Sequence, residues 1–251
     1  MSTLKKALSV LQVFLDRKDQ LSIAEMANYS GLSINAVYRI ASILREEGYL
    51  SQQNKRGKYI PGPKLLEFGN LAREMLNIED LGRPYMAKLN SLIDETVQLV
   101  VLDGEKAVVI ANIEGKQKLR IVTELKADLP PYCTGVGKTF LAHMTEVELE
   151  RYFSKTPRLY AYTPNTITDH DALTKHLLKI KKDGIALDRA EYTPGIVDIA
   201  APIKNGIGRV VAALGVLIPE PRATEQKLAE LIPLIKNTTM EISKALGYEE
   251  R

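Results

Sequence analysis

The chain has 251 residues, 45% hydrophobic and 26% charged, with a net charge of +3. That length suits one large or two ordinary domains with a buried core, and the balance excludes disordered, collagenous and membrane-embedded classes. A single cysteine, Cys133, excludes an internal disulfide framework and fits a reducing cytoplasm. The first apolar stretch is broken by Gln12 and Asp16, too soon for a signal peptide or a membrane span. Charge is unevenly spread: residues 1–75 hold 11 Lys/Arg against 7 Asp/Glu, leaving 23 against 24 for the rest. A modest positive bias therefore sits at the N-terminal end.

Leu4, Ala7, Leu8, Leu11 and Leu15 recur by threes and fours and predict the buried stripe of a first helix. After the polar loop 16–20, Ser22 followed by Glu25 is a capping-box pattern that starts a second, short helix, with Ala24 and Ala27 able to pack closely. Gly31 supplies a turn, and Ser33 is the expected N-cap of a third helix whose inward face is Val37, Ile40, Ala41 and Leu44. That face leaves Asn35, Tyr38, Arg39, Ser42 and Arg45 outside, early in the helix, as donors and acceptors for base edges or phosphates. Gly48 ends the helix. Residues 49–53 and 58–60 pair as a hairpin whose basic turn presents Lys55, Arg56 and Lys58 to a DNA backbone or minor groove. A polar helix face alone reads equally well as a solvated one. The succession of cap, turn, apolar stripe and basic hairpin predicts a winged helix-turn-helix that binds double-stranded DNA.

Pro61-Gly62-Pro63 punctuates the chain. Residues 64–76 then predict a joining helix with Leu65, Phe68, Leu71, Ala72 and Met75 on one side, and residues 84–93 a second amphipathic helix. Such helices pack on their own domain or supply dimer contacts. From Thr96 the period shortens. Strands are expected at 97–102, 107–113, 119–123, 185–187, 196–203 and 210–218, and helices at 137–143, 146–153, 171–182 and 227–246, with Thr145 and Glu148 forming another capping box. This mixed order predicts an α+β fold around an antiparallel sheet.

The winged module, Tyr59-Ile-Pro-Gly-Pro63, Thr134-Gly-Val-Gly-Lys138-Thr-Phe-Leu-Ala142, Asp183-Gly-Ile-Ala-Leu-Asp188 and Gly195-Ile-Val-Asp-Ile-Ala-Ala-Pro-Ile203, in that order, resemble the IclR family of bacterial transcription regulators over residues 3–248. The resemblance implies a winged helix-turn-helix domain (1–62), a joining helix (63–82) and a GAF-like effector-binding domain (83–251). It also implies a homodimer or homotetramer, an operator of a catabolic operon, and a small carboxylate-bearing effector: a sugar acid, keto acid or aromatic acid. No cofactor, catalytic residue or metal is implied.

Carried over by position, the family's pocket falls on the turn Thr134–Lys138. There the amides of Gly135 and Val136, opening the following helix, would hold a carboxylate. The family's acidic pocket residue falls on Asp188, a position that is commonly cysteine falls on Asp198, and two that are often serine fall on Gly215 and Leu217. Exchanging Cys for Asp and losing two hydroxyls changes the charge and the donor supply. If Asp188 and Asp198 both face the cavity, their repulsion raises one pKa or calls for a cation. This argues against a two- or three-carbon keto acid and for a polyhydroxylated, amine-bearing or metal-assisted ligand. The alternative is an Asp198 that points outward or pairs with Arg189.

Gly135-Val-Gly-Lys-Thr139 ends like a phosphate-binding loop, but Tyr132 stands where that motif needs its first glycine. Cys133 could act as a nucleophile with His143 as base, since both flank the same turn, but a lone cysteine beside a helix start is more often simply buried. His143, His170 and His176 have no metal-ligand spacing, and the loop 158–168 reads as surface. The competing readings are a small-metabolite enzyme using the C-terminal pocket and a protein-binding use of the winged helix.

Overall fold

The computed structural model describes residues 2–52, 57–75 and 77–250, the side chains of 72–75 apart. They fall into two compact units, Met1–Asn77 and Ile78–Arg251.

The first unit runs α1 (Thr3–Arg17), α2 (Ile23–Ser30), α3 (Ile34–Glu46), β1 (Leu50–Gln52), β2 (Tyr59–Pro61) and α4 (Pro63–Met75). Each of the first three helices starts on a serine, Ser2, Ser22 or Ser33, whose hydroxyl accepts the amide three residues on. At Ser22 the side chain of Glu25 returns the bond and completes the capping box. Gly31 ends α2 at φ +68°, a left-handed turn that a side chain would strain. The two strands pair antiparallel, Leu50 opposite Pro61, and Leu21 bridges Tyr59 to add a third extended segment. This is a winged helix-turn-helix.

Its core is Val10, Val13 and Phe14 of α1, Met26 and Ala27 of α2, Val37, Ile40 and Ala41 of α3, with Leu50 and Tyr59 from the hairpin. The stripe expected for α1 is corrected: Leu4, Leu8 and Leu15 stay more than half exposed. Two apolar stripes run along this helix, and periodicity cannot choose between them; the bulky Phe14 and its valines take the inside. Ala24 is likewise outside, its expected place taken by Met26. On α4, Phe68 stacks on Tyr49 with ring centroids 6.0 Å apart, yet it and Leu71 are each 50% exposed. The stripe expected there is therefore not buried within the unit as far as its side chains are described.

The second unit is built on a six-stranded antiparallel sheet in the order β5-β4-β3-β8-β7-β6. Its strands are β3 (Thr96–Asp103), β4 (Lys106–Ile113), β5 (Asp128–Leu129), β6 (Ala186–Arg189), β7 (Ile196–Lys204) and β8 (Val210–Pro219). Alternation divides each strand between two layers. Val97, Leu99, Ile199, Leu214 and Val216 pack with α5 (Ile78–Ile93) and α9 (Glu225–Ala245). Val100, Ala200 and Ala213 on the other face pack with α6 (Gly135–His143) and α8 (His170–Asp183), flanked by α7 (Glu146–Lys155). Small residues on this face let α6 lie close to the sheet, which positions the site described below.

Three expected boundaries move. Residues 119–123 form no strand; side chains hold the segment instead, Thr96 Oγ1 donating to the carbonyl of Ile121 and Asn112 to that of Thr123. Helix α5 begins at Ile78 and carries Pro84 inside it, at the loss of one backbone bond. Helix α6 opens at Gly135, two residues early, because Thr134 caps it by accepting the amide of Gly137.

Candidate nucleic-acid interface and effector cavity

Along α3, the burial of Val37, Ile40 and Ala41 fixes which residues face out. Asn35, Tyr38, Arg39 and Arg45 are exposed, Tyr38 by 60%, and Ser42 is half-buried. A large aromatic left in water on a capped helix, beside an arginine, suits groove contact better than self-packing. Ser33 caps the helix by accepting the amide of Ala36 at 3.4 Å. On the hairpin, Lys58 pairs with Glu25 at 3.2 Å; the bonds from the Ser22 amide and hydroxyl, and after them the Lys58 ammonium, hold the Glu25 carboxyl down to about 2. A phosphate would have to draw Lys58 from that partner. Lys55 and Arg56 lie outside the described residues.

In the second unit a cavity of about 300 Å³ lies beside the N-terminus of α6. Its polar wall includes Gln98, Thr134, Asp188 and Asp198, all nearly fully buried. Val109, Ile121, Val122, Leu129, Ile196 and Leu217 make the apolar wall. Register explains the polar convergence: Asp188 on β6 stands directly opposite Asp198 on β7, which stands opposite Leu217 on β8. Asp198 therefore lines the cavity, and the outward alternative does not hold, since Arg189 pairs with Glu225 instead.

The four residues Thr134, Asp188, Asp198 and Leu217 are brought to the cavity as expected, but Gly135, Val136 and Gly215 are not on its wall. They surround the Asp198 carboxylate instead. The Val136 amide donates to Asp198 Oδ2 at 3.1 Å, and the Gly135 amide also favours the charged carboxylate. A Cβ on Gly135 would come within 2.8 Å of that oxygen, so glycine permits the approach. The helix N-terminus expected to hold a ligand's carboxylate is thus occupied by the protein's own. Two cavity-lining residues keep an unpartnered buried acceptor: Gln98 Oε1 and Asp198 Oδ1.

Burial raises both carboxyls. Asp188 is pushed up to about 8, first by desolvation and then by the charge of Asp198, although its Oδ1 accepts the Glu191 amide at 2.6 Å. Asp198 is raised to about 6 by burial, opposed by the two amides and by Lys138. Lys138 is fully buried but does not face a ligand: its ammonium donates to Glu191 and to the carbonyl of Leu187 at 2.9 Å. Burial also raises the Glu191 carboxyl. Among the described residues no Lys, Arg or His lines the cavity.

Sequence reasoning missed Gln98, Tyr192, Thr193 and the segment 121–124, all on the wall. Gln98 left a trace, a polar residue at an inward position of an apolar strand; the loops left none. Cys133 is fully buried, with its thiol pushed up by burial, so it is unsuited as a nucleophile. His143 is bound through Nδ1 to the carbonyl of Thr139. Among the described residues no group of three or more His, Cys, Asp or Glu is placed to hold a metal ion, and no helix is long and apolar enough to cross a membrane.

The IclR helix-turn-helix domain model matches residues 3–54, and that of the bacterial transcriptional regulator IclR C-terminal region matches residues 71–244. The chain is 31% identical over 246 residues to the HTH-type transcriptional regulator KipR of Bacillus subtilis, covering 98% of this chain and 97% of that one. It is 29% identical to the HTH-type transcriptional regulator XynR of Escherichia coli, with the same coverage. Among solved structures, the IclR of Thermotoga maritima is 34% identical and superposes with a TM-score of 0.66 over 98% of this chain and 99% of that one. With both halves matched in order and the winged module joined to the α/β unit, the chain belongs to the IclR family of HTH-type transcriptional regulators.

Proposed function

We propose that this regulator reads its operator with α3 and takes a small-molecule effector in the cavity beside α6. Asn35, Tyr38, Arg39 and Ser42 contact the major groove, Ser33 holds the start of the helix, and Lys58 with Lys55 and Arg56 meets the backbone. The observation that carries the reading is the division of α3: an apolar side locked into the core and an exposed side rich in donors, including Arg39. The effector acts from the second domain by biasing the spacing of two DNA modules in a homodimer or homotetramer. Exposed Leu4, Leu8 and Leu15 on α1 and Leu66, Phe68 and Leu71 on α4 support self-association.

The test is Arg39→Ala, assayed by fluorescence anisotropy on the duplex that the wild type selects from a random-sequence pool. Loss of one bidentate base contact lowers specific affinity by about 1–3 kcal/mol while weakening nonspecific binding little. Retained specificity at moderate salt, in a folded variant of unchanged oligomeric state, would remove α3 from the groove.

A further inference from the structure

The cavity deepens the functional reading and rests on it. We infer that the effector is a small organic amine, bound as its ammonium against Asp198, Asp188 and Gln98, with an apolar body lying toward Ile121, Val122 and Leu129, and that carboxylates are excluded.

Three observations carry this. First, the anion seat at the start of α6 is filled from within, since Asp198 accepts the amide of Val136. A ligand carboxylate would have to displace a covalently tethered competitor and then sit beside it. Second, two residues of the wall, Gln98 and Asp198, each 2% exposed, hold a buried acceptor without a partner, Oε1 and Oδ1 respectively. Buried acceptors without partners are costly, and a ligand bearing several N–H groups removes that cost. Third, among the described residues no Lys, Arg or His lines the cavity, and the ammonium of the buried Lys138 is held by Glu191 and Leu187. An ammonium answers the Asp198 carboxylate, whereas an anion is repelled by it. The apolar residues opposite give the ligand's body a place, and about 300 Å³ is the lower end of the range for small-molecule sites.

The experiment uses three probes of one shape on the full chain, by calorimetry: 2-phenylethylamine, phenylacetate and 2-phenylethanol. The amine binds at least about tenfold tighter than either of the others, the difference expected of a charge-assisted hydrogen bond. Asp198→Asn keeps the shape but loses the charge, and lowers amine affinity by about the same factor. Asp198→Ser frees the Val136 amide and gains phenylacetate binding, with circular dichroism confirming its fold. Wild-type protein that binds phenylacetate or phenylethanol as tightly as the amine overturns the amine assignment and leaves the effector cavity standing. Absence of binding by every probe to wild type and both variants overturns the cavity as well. The wild-type comparison stands alone if Asp198→Ser does not fold.

Discussion

Placing serine at Gly215 tests how the polar end of the cavity is packed. A Cβ there would lie 2.7 Å from Val136 Cγ1, 2.9 Å from Asp198 Oδ1 and 3.1 Å from Gln98 Cγ. None of the three moves freely: Val136 is fully buried on α6, the Asp198 carboxylate is tied to that helix by its amides, and Gln98 is 2% exposed. Gly215→Ser therefore overpacks a closed layer and costs about 1–3 kcal/mol. Asp198→Ser removes the carboxylate but leaves the buried Val136 amide without its acceptor, a loss of about 1–3 kcal/mol by itself. Combined, the smaller residue at 198 relieves one of the two shortest contacts at 215, and the new hydroxyl lies near the freed amide. The double variant is thus more stable than the sum of the singles, with a coupling of about 0.5–3 kcal/mol. Urea unfolding followed by far-UV circular dichroism measures all four proteins; the chain has no tryptophan, so fluorescence is the weaker probe. The reasoning fails if Gly215→Ser lies within about 0.5 kcal/mol of wild type, or if the two changes are additive.

The raised carboxyl of Asp188 makes a pH prediction. Its folded pKa of about 8 lies above the ordinary value of 3.8, so the folded state binds the proton more tightly than the unfolded chain. Stability from this group is present in full below about pH 4 and is lost as pH rises toward 8. Asp188→Asn, which can still accept the Glu191 amide, gains stability relative to wild type at pH 8 over pH 5; an equal difference at both values counts against the shift. Lys138→Met leaves Glu191 buried without its cation and destabilises by about 3–5 kcal/mol, and adding Glu191→Met recovers most of that loss. If the double variant is no more stable than the single in denaturant unfolding, the pair is not what Lys138 contributes. Ser33→Ala removes the cap of α3 and lowers the stability of the N-terminal unit by about 0.5–2 kcal/mol; hydrogen exchange of the α3 amides that is no faster would refute this.

Local rules made the N-terminal module legible in advance. Capping serines, Gly31 and the i, i+3, i+4 spacing of Val37, Ile40 and Ala41 are statements about neighbours in the chain, so they survive without knowledge of the fold. They failed where two apolar stripes shared α1, because burial there depends on what lies opposite. In the second domain five of the six strands were readable from alternation, whereas 119–123 forms none and Asp128–Leu129 was missed; Asp188 and Asp198 came from the family resemblance. What occupies the anion seat was not readable. The pairing of β6 with β7 sets Asp188 opposite Asp198, and the approach of α6 to the sheet puts the Val136 amide within reach of a carboxylate 62 residues away. Sequence by itself determined the elements and the chemical types available; only the tertiary structure decided which acceptor met which donor, because those contacts join strands and helices distant along the chain.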